Sequence, residues 1–232
     1  MDYRTLRSAP LGSLRSIEAD SLDSVLLDEE EARVLGCLLE KEMTTPDYYP
    51  LTLKSLIAAC NQKSSRDPVV EYDDALVQAA LDRLQEKGLT RRITSSDSRV
   101  PRFRHVANDA LRLNKERAAV ICVLLLRGPQ TPGEIRQRTN RMYEFVSLAE
   151  VEETIEELRT RETLALVAQL PRQPGTKEAR YAHLLMGPID EAEFAAGAAA
   201  PVRRSGLEQR VTELEEKIAQ LEAQFEQFKS QF

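Results

Sequence analysis

The chain contains only two histidines, and both fall in the same five-residue setting, Arg102-Phe103-Arg104-His105-Val106 and Arg180-Tyr181-Ala182-His183-Leu184. A match of this kind between distant parts of one chain marks an internal repeat, which restricts the fold to a unit that can be built twice on one plan. The duplication extends upstream. Setting Thr52 on Thr131 also sets Leu56 on Ile135 and Asn61 on Asn140, and a small shift brings Val77, Leu81 and Leu84 onto Val151, Ile155 and Leu158.

Each copy carries its local signals in the same order. Asp28 and Glu31 form a capping-box pattern ahead of Leu35, Leu38, Leu39 and Met43 at helical spacing, and Pro46 with Pro50 stops that helix. Thr52 opens a second helix with Leu53, Leu56, Ile57 and Cys60 on one face. Asp73 caps a third, bearing Leu76, Val77, Ala80, Leu81 and Leu84, and Gly88 ends it. Residues 89–93 and 100–106 then read as a hairpin about a polar turn at 94–98, with Pro101 suited to an edge strand. The second copy begins with a helix over residues 115–127, stops at Gly128-Pro129 and restarts at Thr131-Pro132-Gly133-Glu134, a Thr cap followed by Pro and Glu. Three helices and a hairpin are the winged-helix layout. The predicted architecture is therefore mainly α with small β-hairpin wings: two tandem winged-helix domains, residues 27–107 and 108–186, each building one small core.

Outside the repeats, residues 1–26 carry no sustained period and read as a flexible arm, and residues 187–206, rich in Ala, Gly and Pro, read as a linker. The tail, 207–232, has the cleanest pattern in the chain. Leu207, Val211, Leu214, Ile218, Leu221, Phe225, Phe228 and Phe232 alternate spacings of four and three, which puts Val211, Ile218, Phe225 and Phe232 at a positions and the others at d. In a parallel pair of helices Arg210 would face Glu215 and Lys217 would face Glu222, so the tail is predicted to form a homodimeric coiled coil; the competing arrangement is an amphipathic helix folded back on its own chain.

The composition narrows the function classes. The longest apolar run, residues 118–126, is too short for a bilayer, which needs about 20 residues, and the first residues lack an apolar leader core, so a cytoplasmic protein without a membrane span is expected. Cys37, Cys60 and Cys122 lack paired spacing and sit within apolar helical patterns, as buried reduced thiols do. None of the phosphate-binding glycine loops, nucleophile elbows or zinc-helix signatures is present, and His105 and His183, as repeat equivalents, suit a shared packing or hydrogen-bonding role at strand ends. The chain is expected to be non-enzymatic, with no catalytic or metal-binding residues, no cofactor and no small-molecule substrate.

A net charge of −6 opposes indiscriminate nucleic-acid binding, so local patches decide. The first hairpin holds Arg91, Arg92, Arg99, Arg102 and Arg104 against Asp97 alone, a concentration suited to phosphate contact, and Lys63 and Arg66 are candidates to extend it. Asn61-Gln62-Lys63-Ser64-Ser65-Arg66-Asp67-Pro68 reads equally as a phosphate-binding loop or as a fixed turn, with Asn140, the counterpart of Asn61, suited to a left-handed cap. The third helices are acidic: Glu150, Glu152, Glu153, Glu156, Glu157 and Glu162 crowd the second copy, and Asp73, Asp74, Asp82 and Glu86 the first, so neither suits a DNA major groove. Two readings follow: a DNA-associated regulator that leads with its first wing and the Asn61 to Arg66 loop, or a protein-interaction scaffold that uses the acidic helices and the tail.

The strings Gly36-Cys37-Leu38-Leu39-Glu40-Lys41, Thr44-Thr45-Pro46, Tyr49-Pro50-Leu51 and Ala59-Cys60-Asn61-Gln62-Lys63-Ser64, in this order, closely resemble the YceH family of uncharacterised bacterial proteins. The resemblance runs over residues 27–185. It implies tandem winged-helix domains and, by analogy of fold, a DNA-associated role, and it brings no catalytic residues with it.

Deleting residues 207–232 is expected to halve the mass of the particle in solution, measured by light scattering on the otherwise intact chain; an unchanged mass would remove the tail as the main dimer contact.

Overall fold

The first helix, α1 (Glu29–Thr44), starts at a closed capping box: Asp28 accepts from the Glu31 N–H at 2.8 Å and the Glu31 carboxylate accepts from the Asp28 N–H at 2.8 Å. In the computed structural model, which describes residues 25–95, 98–162, 164–172 and 178–188, a 3-10 turn (Pro46–Tyr48) then leads into β1 (Leu51–Thr52), α2 (Leu53–Cys60), α3 (Asp74–Glu86) and the paired strands β2 (Thr90–Ser95) and β3 (Ser98–His105). A short helix, α4 (Ala107–Ala110), joins this to α5 (Lys115–Arg127), α6 (Pro132–Thr139), α7 (Leu148–Arg159), β4 (Val167–Gln169) and β5 (Tyr181–His183). The described chain is thus helical with two small antiparallel sheets, β1-β3-β2 and β4-β5. None of its helices is long and apolar enough to cross a membrane.

The repeat read from the sequence reappears in the register of the backbone. Leu51 pairs with Phe103 in the first copy, and Gln130 pairs with Tyr181 in the second, the position that the Thr52-to-Thr131 match requires. Thr90 lies opposite His105, and Val167 lies opposite His183. The Val106 N–H donates to the Leu89 carbonyl and the Leu184 N–H to the Leu166 carbonyl, both at 2.8 Å. The caps repeat too. Thr52 accepts from the Ser55 N–H and Thr131 from the Glu134 N–H, while Asp73 and Ser147 cap α3 and α7.

Some local expectations change. Pro101 is not on an edge strand, because β3 is the middle strand of its sheet; β1 covers only Arg102 and Phe103, so at Pro101 the strand has a neighbour on one side alone. Neither Asn61 (φ −87°) nor Asn140 (φ −47°) is left-handed. The segment after β3 joins the core, since Ala107, Leu111 and Leu113 are buried.

One continuous cluster of buried side chains spans both copies. Its centre is the contact of α1 with α5, the most extensive between any two helices. Every residue from Glu31 to Leu39 and from Ala118 to Leu126 is buried, so both helices are covered on all sides, and the apolar run of α5 is an interior helix. The ends of the two copies also meet, with the Leu27 N–H donating to the Leu185 carbonyl at 2.7 Å.

Gly36 lets α1 and α5 approach. A methyl group there would lie 2.9 Å from Leu126 Cδ2 and 3.1 Å from Leu125 Cβ, closer than packed carbons tolerate. Replacing a mid-helix Gly by Ala ordinarily stabilises by about 1 kcal/mol, and overpacking costs about 1–3 kcal/mol. Gly36→Ala is therefore expected to be net destabilising by on the order of 1 kcal/mol in urea unfolding, and Gly36→Val by clearly more; a stabilised Ala variant would refute the close contact.

Candidate nucleic-acid interface

The pairing of β2 with β3 sorts the first wing's arginines onto faces. Opposed residues in an antiparallel pair share a face, and successive residues alternate. Arg91 lies opposite Arg104 and Ile93 opposite Arg102 on one face; Thr90 opposite His105 and Arg92 opposite Phe103 lie on the other. Phe103, Thr90 and His105 are buried, so the face they share is the inner one, and Arg91, Arg102 and Arg104 stand on the outer one, exposed. Arg92 is also exposed, at the rim of the inner face on the outer strand β2. Arg99 falls on β3 nearer the turn, and its side chain lies outside the described residues.

Two like charges directly opposite each other weaken a sheet, and Arg91 and Arg104 are such a pair. Neither is relieved by an ion pair with a carboxylate among the described residues. Arg102 Nη1 donates to the Pro50 carbonyl at 2.8 Å and Arg104 Nε to the neighbouring His105 carbonyl at 3.4 Å, bonds that orient the guanidinium groups; the Arg104 charge also reaches the Glu42 carboxyl, whereas Arg91 and Arg102 have no carboxylate in ion-pair contact among the described residues. An anion laid across the outer face would supply the missing counter-charge.

The inner face anchors this platform to α1. The Tyr49 hydroxyl accepts from the His105 N–H at 2.7 Å, and His105 Nε2 lies 2.8 Å from Glu42 Oε2. Contact with His105 holds the Glu42 carboxyl below the usual carboxylate range, and burial raises the Tyr49 phenol. The two histidines thus share a place in the repeat but not a partner. In His183, as in His105, the Nδ1 atom is buried without a hydrogen-bond partner among the described residues, and burial lowers the His183 imidazole to about 4, which leaves it neutral at neutral pH.

The Asn61 to Arg66 loop is resolved in favour of the fixed turn for most of its residues. Arg66, expected as a phosphate contact, is buried at 6% exposure and must be withdrawn from the interface. Its guanidinium grips both Glu40 oxygens, Nη1 to Oε1 at 3.1 Å and Nη2 to Oε2 at 2.7 Å, and donates to the Ala59 carbonyl at the end of α2, a group that the helix itself leaves unpaired. Burial alone would raise the Glu40 carboxyl, but the bonds and charge of Arg66 outweigh it and hold Glu40 below the usual range. Asn61 spends both side-chain groups on Tyr72, donating to its carbonyl at 2.9 Å and accepting from its N–H at 2.8 Å. Gln62 accepts from Arg66 at 2.9 Å. Lys63 is exposed, as are Ser64 and Ser65, so it is the one cation of this loop that faces solvent.

Nor does this loop extend the wing. The wing meets the start of α2 through β1, whereas the loop leaves its far end; eight residues of helix separate them by about 12 Å. Glu42, beside the wing, and Glu40, beside the loop, also point to different sides of the last turns of α1. The third helices keep their acidic solvent faces: Glu152, Glu153, Glu156 and Glu157 are exposed on α7, and Asp74, Asp82 and Glu86 on α3. The tail positions Leu207 to Phe232 lie outside the described residues, and among the described residues no cluster of His, Cys, Asp and Glu could hold a metal. Cys37, Cys60 and Cys122 are free and buried.

Comparison with known proteins places these features within one family. A family model described as "Protein of unknown function, DUF480" matches residues 27–176, a span that includes α1, the first wing and the Glu40–Arg66 pair. A UPF0502 protein of Koribacter versatilis is 54% identical over 167 residues, covering 72% of this chain and 77% of the relative. One of Geobacter sulfurreducens is 54% identical over 167 residues, 72% of this chain and 75% of the relative. One of Solibacter usitatus is 49% identical over 193 residues, 81% of this chain and 92% of the relative.

Removing one member of a buried ion pair leaves the other charged and unpaired, at a cost of about 3–5 kcal/mol. Arg66→Ala is expected to destabilise the fold on that scale in denaturant titration, whereas Lys63→Ala, on the exposed part of the same loop, changes stability by no more than about 0.5 kcal/mol. Equal, small effects would mean that Arg66 is not the buried tie described.

Proposed function

The chain belongs to the DUF480 family of UPF0502 proteins, and on that premise we propose that it is a non-enzymatic, DNA-associated regulatory protein of the cytoplasm, built from two tandem winged-helix domains. The order helix, short pairing segment, helix, helix, hairpin, present twice with matching register, supports the winged-helix reading. The observation that carries the DNA reading is the outer face of the first wing, where Arg91, Arg102 and Arg104 share one exposed face and none is held in an ion pair with a carboxylate among the described residues. Arg92 widens the basic surface at its rim, so the wing meets phosphates while the acidic third helices stay clear of the duplex. The contact is by charge and shape, since an Arg cluster on a short sheet positions a backbone more readily than it reads base edges.

A homodimer joined through residues 207–232 would place two such wings on one duplex and raise the effective concentration of the second contact. The alternative is a protein-interaction scaffold. It is favoured by the row Glu152, Glu153, Glu156 and Glu157 on α7, in which, among the described residues, only Glu156 and Glu157 have arginine partners, Arg159 and Arg117. There the wing would meet an acidic protein surface.

Titration of a fluorescent duplex at several salt concentrations tests the wing. The wild type is expected to bind with a steep negative salt dependence, and the variant with Arg91, Arg92, Arg102 and Arg104 all changed to Ala to bind weakly, its log–log salt slope smaller by about 3.6 if each arginine meets one phosphate. Absence of salt-dependent binding, or equal binding by the variant, would remove the DNA reading and leave the scaffold.

A further inference from the structure

A second basic site lies away from the wing. The end of α1, the loop after α2, the end of α5 and the end of α6 enclose a cleft of about 270 Å³. Its walls carry Lys41, Arg127, Arg138 and Arg141, and their one carboxylate is Glu40. Both Glu40 oxygens are already engaged by Arg66, and Lys41 Nζ adds a contact to Oε2 at 3.1 Å. Arg138 has one weak partner, Glu134 at 3.6 Å, and Glu134 is shared with Arg180 at 3.1 Å. Among the described residues neither Arg127 nor Arg141 is held in an ion pair, although the Glu40 and Asp67 charges reach Arg127 and partly offset the repulsion there.

Such an excess of like charge is costly in a partly buried cleft, because the repulsion there is less screened than in water. Arg127 registers the cost. Burial pushes its guanidinium below the ordinary arginine range, and the nearby charges of Arg138 and Arg66 push it the same way. The wall also offers Ser64 and Ser65, whose hydroxyls have no hydrogen-bond partner among the described residues, and an apolar strip of Val123, Leu126 and Met142. Ser65 holds a left-handed backbone (φ 61°), an unusual conformation for a residue with a side chain, and its carbonyl accepts from Arg66 Nη1 at 2.9 Å. Converging guanidinium groups and hydroxyls match phosphate oxygens, and a small apolar wall beside them matches a compact organic group.

We propose that this cleft binds a small phosphorylated molecule of about nucleotide size, its phosphate held by Arg127, Arg138 and Arg141 and its apolar part laid against Met142 and Val123. The two copies each supply one wall, Lys41 and the loop from the first and the three arginines from the second, so the bound anion ties the copies together. Through this tie the ligand stabilises one arrangement of the joint between them.

The test uses the full chain, with inorganic phosphate and adenosine monophosphate as probes and adenosine as the unphosphorylated control, in calorimetric titration and thermal unfolding at constant ionic strength. Both phosphorylated probes are expected to bind and raise the melting temperature, with the nucleotide the tighter of the two, and adenosine to do neither. Arg141 is exposed, so Arg141→Gln is expected to fold normally and to bind inorganic phosphate about tenfold more weakly, with Arg141→Lys intermediate. Failure of inorganic phosphate to bind at millimolar concentration, or an equal response to chloride, overturns the proposal. So does loss of duplex binding by Arg141→Gln together with displacement of the nucleotide by duplex, which would assign the cleft to a nucleic-acid backbone. Retention of full duplex binding by that variant separates this site from the wing.

Discussion

The approach of α1 to α5 at Gly36 is the contact on which the rest of the structure depends. Two helices buried on all sides must cover one another closely, and the missing side chain at Gly36 admits Leu125 and Leu126 to the α1 backbone, where the Cys122 thiol also donates to the Gly36 carbonyl at 3.4 Å. The first copy's helices wrap one side of this pair and the second copy's wrap the other. Burying apolar surface drives that arrangement, and it converts two small units, each with a modest interior, into one continuous core.

From that centre the fold positions arginines in three different electrostatic settings. Arg66 is desolvated and fully paired, so it acts as a strut between α1, α2 and the loop. The same loop is pinned to α5 where the Asp67 N–H donates to the Leu126 carbonyl at 2.9 Å. The wing arginines are exposed and outside any ion pair among the described residues, with Arg102 and Arg104 oriented by backbone carbonyls, which suits a surface that exchanges water and counterions for a polyanion. The cleft arginines stand between these extremes, partly screened from water and crowded by like charge. One residue type is thereby held in three different electrostatic states, set by desolvation together with the nearest carboxylate.

Much of this was legible in the sequence because it is local. Asp28 with Glu31, Thr131 with Glu134, Gly88 and Gly128 announce helix ends through the chemistry of unpaired backbone groups, and the recurrence of His105 and His183 gives the repeat and its strand register. The wing arginines were legible for the same reason, since alternation along a strand places Arg102 and Arg104 together before any tertiary contact is known. The pairing partner of β1 was not, because two residues carry no period, nor was α4, whose four residues are too few to show one.

What the sequence determined by itself is the order of elements, the duplication and the places where helices begin and end, all properties of neighbours along the chain. Only the tertiary structure decided what each charge does. Glu40 and Arg66 lie on separate elements with no periodic relation, and Lys41 meets Arg127, Arg138 and Arg141 across the two copies. Arg66 and Lys63 look alike in one loop, yet one is buried and the other exposed, because whether a charge keeps its water depends on what packs over it.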